Sequence, residues 1–92
     1  MGDVQEMVIL VTNSLGLHAR PAGKISREAQ RYAASITIHS QDAEADAKSI
    51  LDVLTLAAPQ GTELTLRAHG PDAALALEGL SRLFEEKFGE ER

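Results

Sequence analysis

The chain reads as an α+β open-faced sandwich: a four-stranded, mostly antiparallel sheet with three helices on one face, in the order β-α-β-β-α-β-α. Three observations lead there. Apolar and polar residues alternate in Ser35–His39 and again in Thr62–Ala68, as strands do when one face is covered and the other wet. Segments 18–31 and 73–87 instead carry apolar residues at helical spacing. The apolar content, 43%, comes mostly from Ala, Leu, Ile and Val, with Phe84, Phe88 and Tyr32 as the only aromatics. Small side chains of that kind suit a helical layer packed closely on something flat.

Each element has its own warrant. Met7–Val11 is rich in β-formers and reads as a strand closed by Asn13 and Gly16. In 18–31, Ala22, Ile25, Ala29 and Ala33 lie along one side of a helix. Pro21 is tolerated there because the first turn has no intrahelical bond for its missing N–H to make. Ser35–His39 follows as a strand with Ile36 and Ile38 inward. Gln41-Asp42 breaks it, and Ala43–Asp46 forms a short return strand. Lys48-Ser49-Ile50-Leu51-Asp52 opens a brief helix, with Ser49 and Asp52 at capping-box spacing, that ends before Pro59-Gln60-Gly61. Residues 62–68 are the clearest strand. Gly70-Pro71-Asp72 turns into a cap for the last helix, 73–87, whose buried positions include Ala73, Ala76, Leu77, Leu80, Leu83 and Phe84. Gly89-Glu90-Glu91-Arg92 reads as a frayed end.

Ninety-two residues make a single domain, 1–92. There are no cysteines, which removes disulfides and thiolate metal sites. No apolar run approaches membrane-spanning length, so no membrane insertion is expected. Met1-Gly2-Asp3 has no features of a secretory leader, and a cytoplasmic location is expected. A net charge of -5 argues against general affinity for nucleic acid. Arg20, Lys24, Arg27 and Arg31 nevertheless share one helical face against a single Glu28. That stripe is either solvated or a dock for acidic partners.

The residues that carry chemistry lie in Asn13-Ser14-Leu15-Gly16-Leu17-His18-Ala19-Arg20-Pro21-Ala22. They put an imidazole at the start of a helix, where free amides and a partial positive charge suit an anion. Gly16 permits unusual torsions just before it. A neutral imidazole is nucleophilic without a general base and can attack an activated phosphoryl group through a ring nitrogen. Arg20 supplies directional donors for the phosphoryl oxygens. On position alone, a histidine here is more often a simple cap or surface residue. His39 and His69 stand at strand ends without ligand-spaced partners, so no metal and no cofactor are implied.

The run Leu17-His18-Ala19-Arg20-Pro21-Ala22, preceded by Asn-x-x-Gly, resembles the active-site signature of the histidine-containing phosphocarrier proteins (HPr) of the bacterial phosphoenolpyruvate-dependent sugar phosphotransferase system. The resemblance continues through Ala47-Lys48-Ser49-Ile50-Leu51 and the Gln60-Gly61 turn into the last helix, roughly residues 5–88. It implies that His18 takes a phosphoryl group on Nδ1 from phosphorylated enzyme I and passes it to a histidine of an EIIA component. The protein would then be a carrier, not an enzyme. Arg20 would be the active-site arginine, with Gly16 and Pro21 supporting the helix start. Leu17, Ile50 and Leu51, ringed by Arg20, Lys24 and Arg27, would form the docking surface, and a monomer is expected because that surface must stay free.

Ser49 has two readings: an N-cap worth about 1 kcal/mol, or the target of an HPr serine kinase/phosphorylase, as the matching serine is in some Gram-positive relatives. The acidic Ser40-Gln41-Asp42-Ala43-Glu44 turn and Asp52 depart modestly from the family pattern. The ending Phe84-Glu85-Glu86-Lys87-Phe88-Gly89 is similar to the nitrogen-related branch. A nitrogen-related carrier, a dihydroxyacetone-kinase carrier and a regulatory binder without transfer are the alternatives.

Overall fold

The structure, a computed structural model, describes residues 4–91. Met1-Gly2-Asp3 and Arg92, which the sequence reading also drew on, lie outside the described residues. The elements run β1 (Val4–Leu10), α1 (Ala19–Ala29), β2 (Ser35–His39), β3 (Glu44–Asp46), α2 (Ile50–Thr55), β4 (Glu63–His69) and α3 (Ala73–Glu85), followed by a 3-10 turn at Lys87–Gly89. The order is the expected one. The sheet runs β1-β4-β2-β3, and every pair is antiparallel.

Strand alternation becomes packing through register. Met7 faces Leu66, Leu66 faces Ile38 and Ile38 faces Ala45, so one inward row crosses all four strands. Leu66, Ile38 and Ala45 in that row are buried. One residue out of step, Glu6, Arg67, Thr37 and Asp46 form a row on the wet face. Glu6 and Arg67 pair there at 2.6 Å, an exposed contact of little net value. Onto the inward face α1 brings Ala22, Ile25 and Ala29, α2 brings Val53, and α3 brings Ala73, Ala76, Leu77, Leu80 and Phe84, all buried. Burying each large aliphatic side chain contributes about 1.5–3 kcal/mol. The two long helices also touch. At Gly79 of α3 a Cβ would collide with the Tyr32 hydroxyl and the Glu28 carboxylate, which hydrogen-bond each other at 2.6 Å.

Several boundaries move, each for a tertiary reason. β1 begins at Val4 and stops at Leu10, because β4 offers seven consecutive partners that draw polar Gln5 and Glu6 into the ladder. α1 spans Ala19–Ala29, shorter than 18–31, with His18 as its extended N-cap. α3 ends at Glu85, because Lys87 and Phe88 take positive φ of 54° and 57°. The Ser49–Asp52 box forms only by half. The Ser49 hydroxyl accepts from the Asp52 amide at 3.2 Å, but the Asp52 carboxylate turns to the Asp46 amide instead of returning to Ser49. His39, at the strand end expected for it, is half-buried and has partners, with Nε2 2.8 Å from Thr37 Oγ1 and Nδ1 3.6 Å from Glu44 across the hairpin.

Asp72 also departs from its expected role. It occupies the N-cap of α3 but makes no side-chain cap bond. Its carboxylate accepts instead from the Ala33 and Ala34 amides at 2.9 and 2.8 Å, tying the turn after α1 to the start of α3. The Ala33 amide is the main cause that holds this carboxyl below its usual range; partial desolvation opposes it, and the Ala34 amide and the Lys48 charge assist. A carboxyl with a lower pKa folded than unfolded adds stability above its unfolded pKa and loses it as pH falls through the folded one. Thermal melts of Asp72→Ala should therefore show a lower Tm than the parent at neutral pH, with the gap closing as pH falls below about 4.

Candidate functional site

The site is built where the loop after β1 meets the loop after α2. Val11 is fully buried and exchanges backbone bonds with Gly61 and Thr62 (2.8 and 2.9 Å), anchoring the chain as it leaves the sheet. Gly16 sits at φ 69°, and a Cβ there would collide with the Ala58 carbonyl oxygen. That same carbonyl accepts the Leu17 amide at 2.9 Å. Leu17 is buried at 5% exposure. It therefore secures the loop from inside and offers almost nothing to a partner, which corrects its expected place among the docking contacts.

One residue later the chain points outward. His18 is the N-cap of α1, with its own carbonyl accepting the Ala22 amide at 3.0 Å and its ring making no cap bond. Pro21 lies buried in the first turn, where its missing N–H leaves no bond unmade. Helix geometry leaves the Ala19 and Arg20 amides without intrahelical acceptors. Arg20 is exposed and lines, with His18, Ser14, Leu15, Glu90 and Glu91, a shallow depression of about 500 Å³.

The His18 ring, with 35% of its side chain exposed, turns Nε2 to Glu90 Oε2 at 2.7 Å. The other oxygen of that carboxylate accepts from Asn13 Nδ2 at 3.0 Å, and Nδ2 also donates to the Gly16 carbonyl at 2.8 Å. Asn13 is fully buried, and its Oδ1 has no partner among the described residues. Partial burial acts to raise the Glu90 pKa most strongly of the single causes. The hydrogen bonds from Asn13 and His18, with the His18 and Arg20 charges, outweigh it and hold the carboxyl below its usual range.

Glu90 belongs to the segment read as frayed, and that reading is corrected. Phe88 is buried at 2% and meets Phe84 edge to face with ring centroids 4.9 Å apart. To reach that position the chain adopts the left-handed region at Lys87 and Phe88, a cost of about 1–2 kcal/mol each. Lys24 then donates from Nζ to the Phe88 carbonyl at 2.5 Å. The tail is thus pinned at 88 and delivers Glu90 to the imidazole. The sequence did hold a signal: a large apolar residue four positions after Phe84, followed by glycine, asks to be buried.

The other expected site residues divide. Arg27, Ile50 and Leu51 are exposed, the latter two at 45% and 75%. Lys24 is half-buried and committed to the tail. Leu15, not singled out from sequence, is 71% exposed beside His18. Ser49 sits half-buried with Asp46 and Asp52 as its immediate partners. Among the described residues no group of three or more His, Asp or Glu is placed to hold a metal ion, and no helix is long and apolar enough to cross a membrane.

Comparison with known proteins agrees with this geometry. Residues 5–86 match the family model described as the PTS HPr component phosphorylation site. The chain is 41% identical over 86 residues to a phosphocarrier protein HPr of Xylella fastidiosa (strain 9a5c), covering 94% of this chain and 97% of that protein. It is 42% identical over 83 residues to the phosphocarrier protein HPr of Treponema pallidum, covering 90% and 94%. A crystal structure of HPr-C-His from Thermoanaerobacter tengcongensis superimposes with a TM-score of 0.91 at 36% identity, covering 96% of this chain and 99% of that one.

The contact at Gly16 gives a stability test. Gly16→Ala adds a Cβ against the Ala58 carbonyl at a positive φ and should cost about 2 kcal/mol or more. Urea denaturation should show it as a lower midpoint with an unchanged slope.

Proposed function

Because the chain belongs to the HPr family of the phosphoenolpyruvate-dependent phosphotransferase system, we propose that His18 is the residue on which it carries its phosphoryl group. The protein is a phosphocarrier, not an independent enzyme: it transfers histidine-bound phosphate between enzyme I and EIIA in sugar uptake. One observation carries the assignment to His18. Its ring stands at the N-terminus of α1 beside Arg20 with Nε2 engaged by Glu90, which leaves Nδ1 as the ring nitrogen without a hydrogen-bond partner among the described residues.

The chemistry needs little more. Neutral imidazole attacks through the Nδ1 lone pair while the donor's nitrogen–phosphorus bond breaks. The Arg20 guanidinium and the free amides of Ala19 and Arg20 accommodate the transferred oxygens, since a helix N-terminus favours an anion. A shallow site suits a relay, because both partners must reach the same nitrogen in succession. Arg27, Ile50 and Leu51, joined by Leu15, are the exposed residues that support a docking face, with Leu17 and Lys24 withdrawn from it. Ser49 bonds the Asp46 carbonyl through its amide and accepts the Asp52 amide through its hydroxyl, contacts that support the N-cap reading. We read the chain as a single-domain cytoplasmic monomer.

The test is phosphorylation by enzyme I of the same organism with phosphoenolpyruvate and magnesium, read by intact mass. The parent should gain one acid-labile phosphoryl group and His18→Ala none; an adduct on His18→Ala would overturn the assignment. Arg20→Ala should still be labelled but more slowly, by roughly 10–100-fold for one charge-assisted contact to the phosphoryl group.

A further inference from the structure

The tail contact engages the His18 ring nitrogen other than the one proposed to react, and its chemistry bears on the reaction. We propose that Glu90 is a positioning residue for phosphoryl transfer, whose carboxylate keeps the proton on His18 Nε2 while Nδ1 first accepts and then releases the phosphoryl group. The proposal rests on His18 being the carrier residue.

The geometry allows one protonation pattern. An ionised carboxylate only accepts hydrogen bonds. Nε2, 2.7 Å from Glu90 Oε2, must therefore carry the hydrogen, and in the neutral ring this leaves the lone pair on Nδ1. Glu90 is held for the task from both sides. Its second oxygen is occupied by Asn13, itself buried and bonded to the Gly16 carbonyl, and the chain before it is anchored by the Lys24–Phe88 bond. Two donors meet two acceptor oxygens, so the site calls for a carboxylate rather than an amide.

The proton matters in both directions of the relay. On acceptance, the Nδ1 lone pair forms the bond to phosphorus as the donor phosphohistidine's nitrogen–phosphorus bond breaks and its electron pair returns to the donor ring. The product holds Nδ1–P and Nε2–H together, a positive ring that Glu90 balances. On donation, a histidine nitrogen of the acceptor attacks phosphorus, the Nδ1–P bond breaks, and the pair returns to Nδ1. Because Nε2 has kept its proton, the ring departs as neutral imidazole. Were that proton lost, the leaving group would be an imidazole anion, far poorer at leaving. No general base or acid is required at any point, because the same proton stays at Nε2 throughout.

The experiment uses nitrogen-15 spectroscopy of the His18 ring in the full chain, with Glu90→Ala, Glu90→Gln and Glu90→Asp beside the parent. The free parent, recorded where the ring is neutral, should show a protected Nε2–H and the Nδ1 lone-pair signal. Glu90→Ala should lose the protection and gain the other tautomer. At one common pH, the phosphorylated parent should keep a protonated-type Nε2 signal that phosphorylated Glu90→Ala has lost. Transfer from His18 to EIIA should slow by about an order of magnitude in Glu90→Ala.

The ranking of the conservative variants separates chemistry from packing. Asp retains two acceptor oxygens although it is shorter; Gln matches the size but offers one acceptor to two donors. Glu90→Asp should therefore lie nearer the parent than Glu90→Gln, in ring spectrum and in rate. The reverse ranking, or His18 ring signals that are identical in parent and Glu90→Ala, would overturn the proposal. The spectrum of the unphosphorylated ring is read without any partner protein. Failure of His18 as carrier would show separately, as an absent adduct on the parent.

Discussion

His18 is held between residues that the core does not release. Leu17 before it is buried with its amide on the Ala58 carbonyl, and Pro21 and Ala22 after it are buried in the first turn of α1. The imidazole reaches solvent because its neighbours cannot. That arrangement depends in turn on how α1 is seated: its buried face of Ala22, Ile25 and Ala29 belongs to the core, and its backbone comes close to α2 and α3. A larger residue at Ala22 would lift the helix start and move the ring with it, since a close-packed interior transmits such a change instead of absorbing it. Placement of the reactive group is thus a consequence of core packing.

The layer that does this was largely written in local pattern. Alternation in Ser35–His39 and in the strand before His69 marked the inward residues, and helical spacing in α1 and α3 marked the faces that cover them. The motif around His18 held the residues proposed as the nucleophile and its arginine. What local pattern lacks is any record of partners far along the chain. Gln5 and Glu6 look unlike strand residues until β4 supplies their ladder bonds. Asp72 looks like a cap until two amides nearly forty positions earlier in the chain claim its carboxylate. Leu17 sits inside a functional motif and so looks functional, yet one step of backbone direction makes it core. Glu90 is the extreme case, 72 positions from the ring it touches.

The tail also shows how a small domain supports a reactive group without a cleft. Burial of Phe88 against Phe84 offsets the cost of two left-handed residues, and Lys24 secures the turn. A cleft would shield the imidazole from the very proteins it must meet. A carboxylate that engages only Nε2 leaves Nδ1 without a hydrogen-bond partner among the described residues. Lys24, apparently part of a basic docking stripe, is spent on this internal task, so the stripe that partners can reach is narrower than its sequence suggests.

A carboxylate beside the proposed phosphorylation site is by itself unfavourable, because the phosphoryl group adds negative charge. The ring resolves this. On the proposed reading Glu90 faces Nε2 while the phosphoryl group occupies Nδ1, so the two anions engage different nitrogens of the protonated imidazole, and Arg20, whose charge also acts on Glu90, stands near both. Each anion is nearest to a cation, and the interaction between like charges acts over the longer distance, where solvent screens it most. The arrangement is also symmetrical in time: it supports the ring equally whether phosphorus arrives or departs. A carrier gains nothing from holding its cargo too firmly, and a contact that stabilises the ring's charge without touching the phosphoryl group meets that requirement.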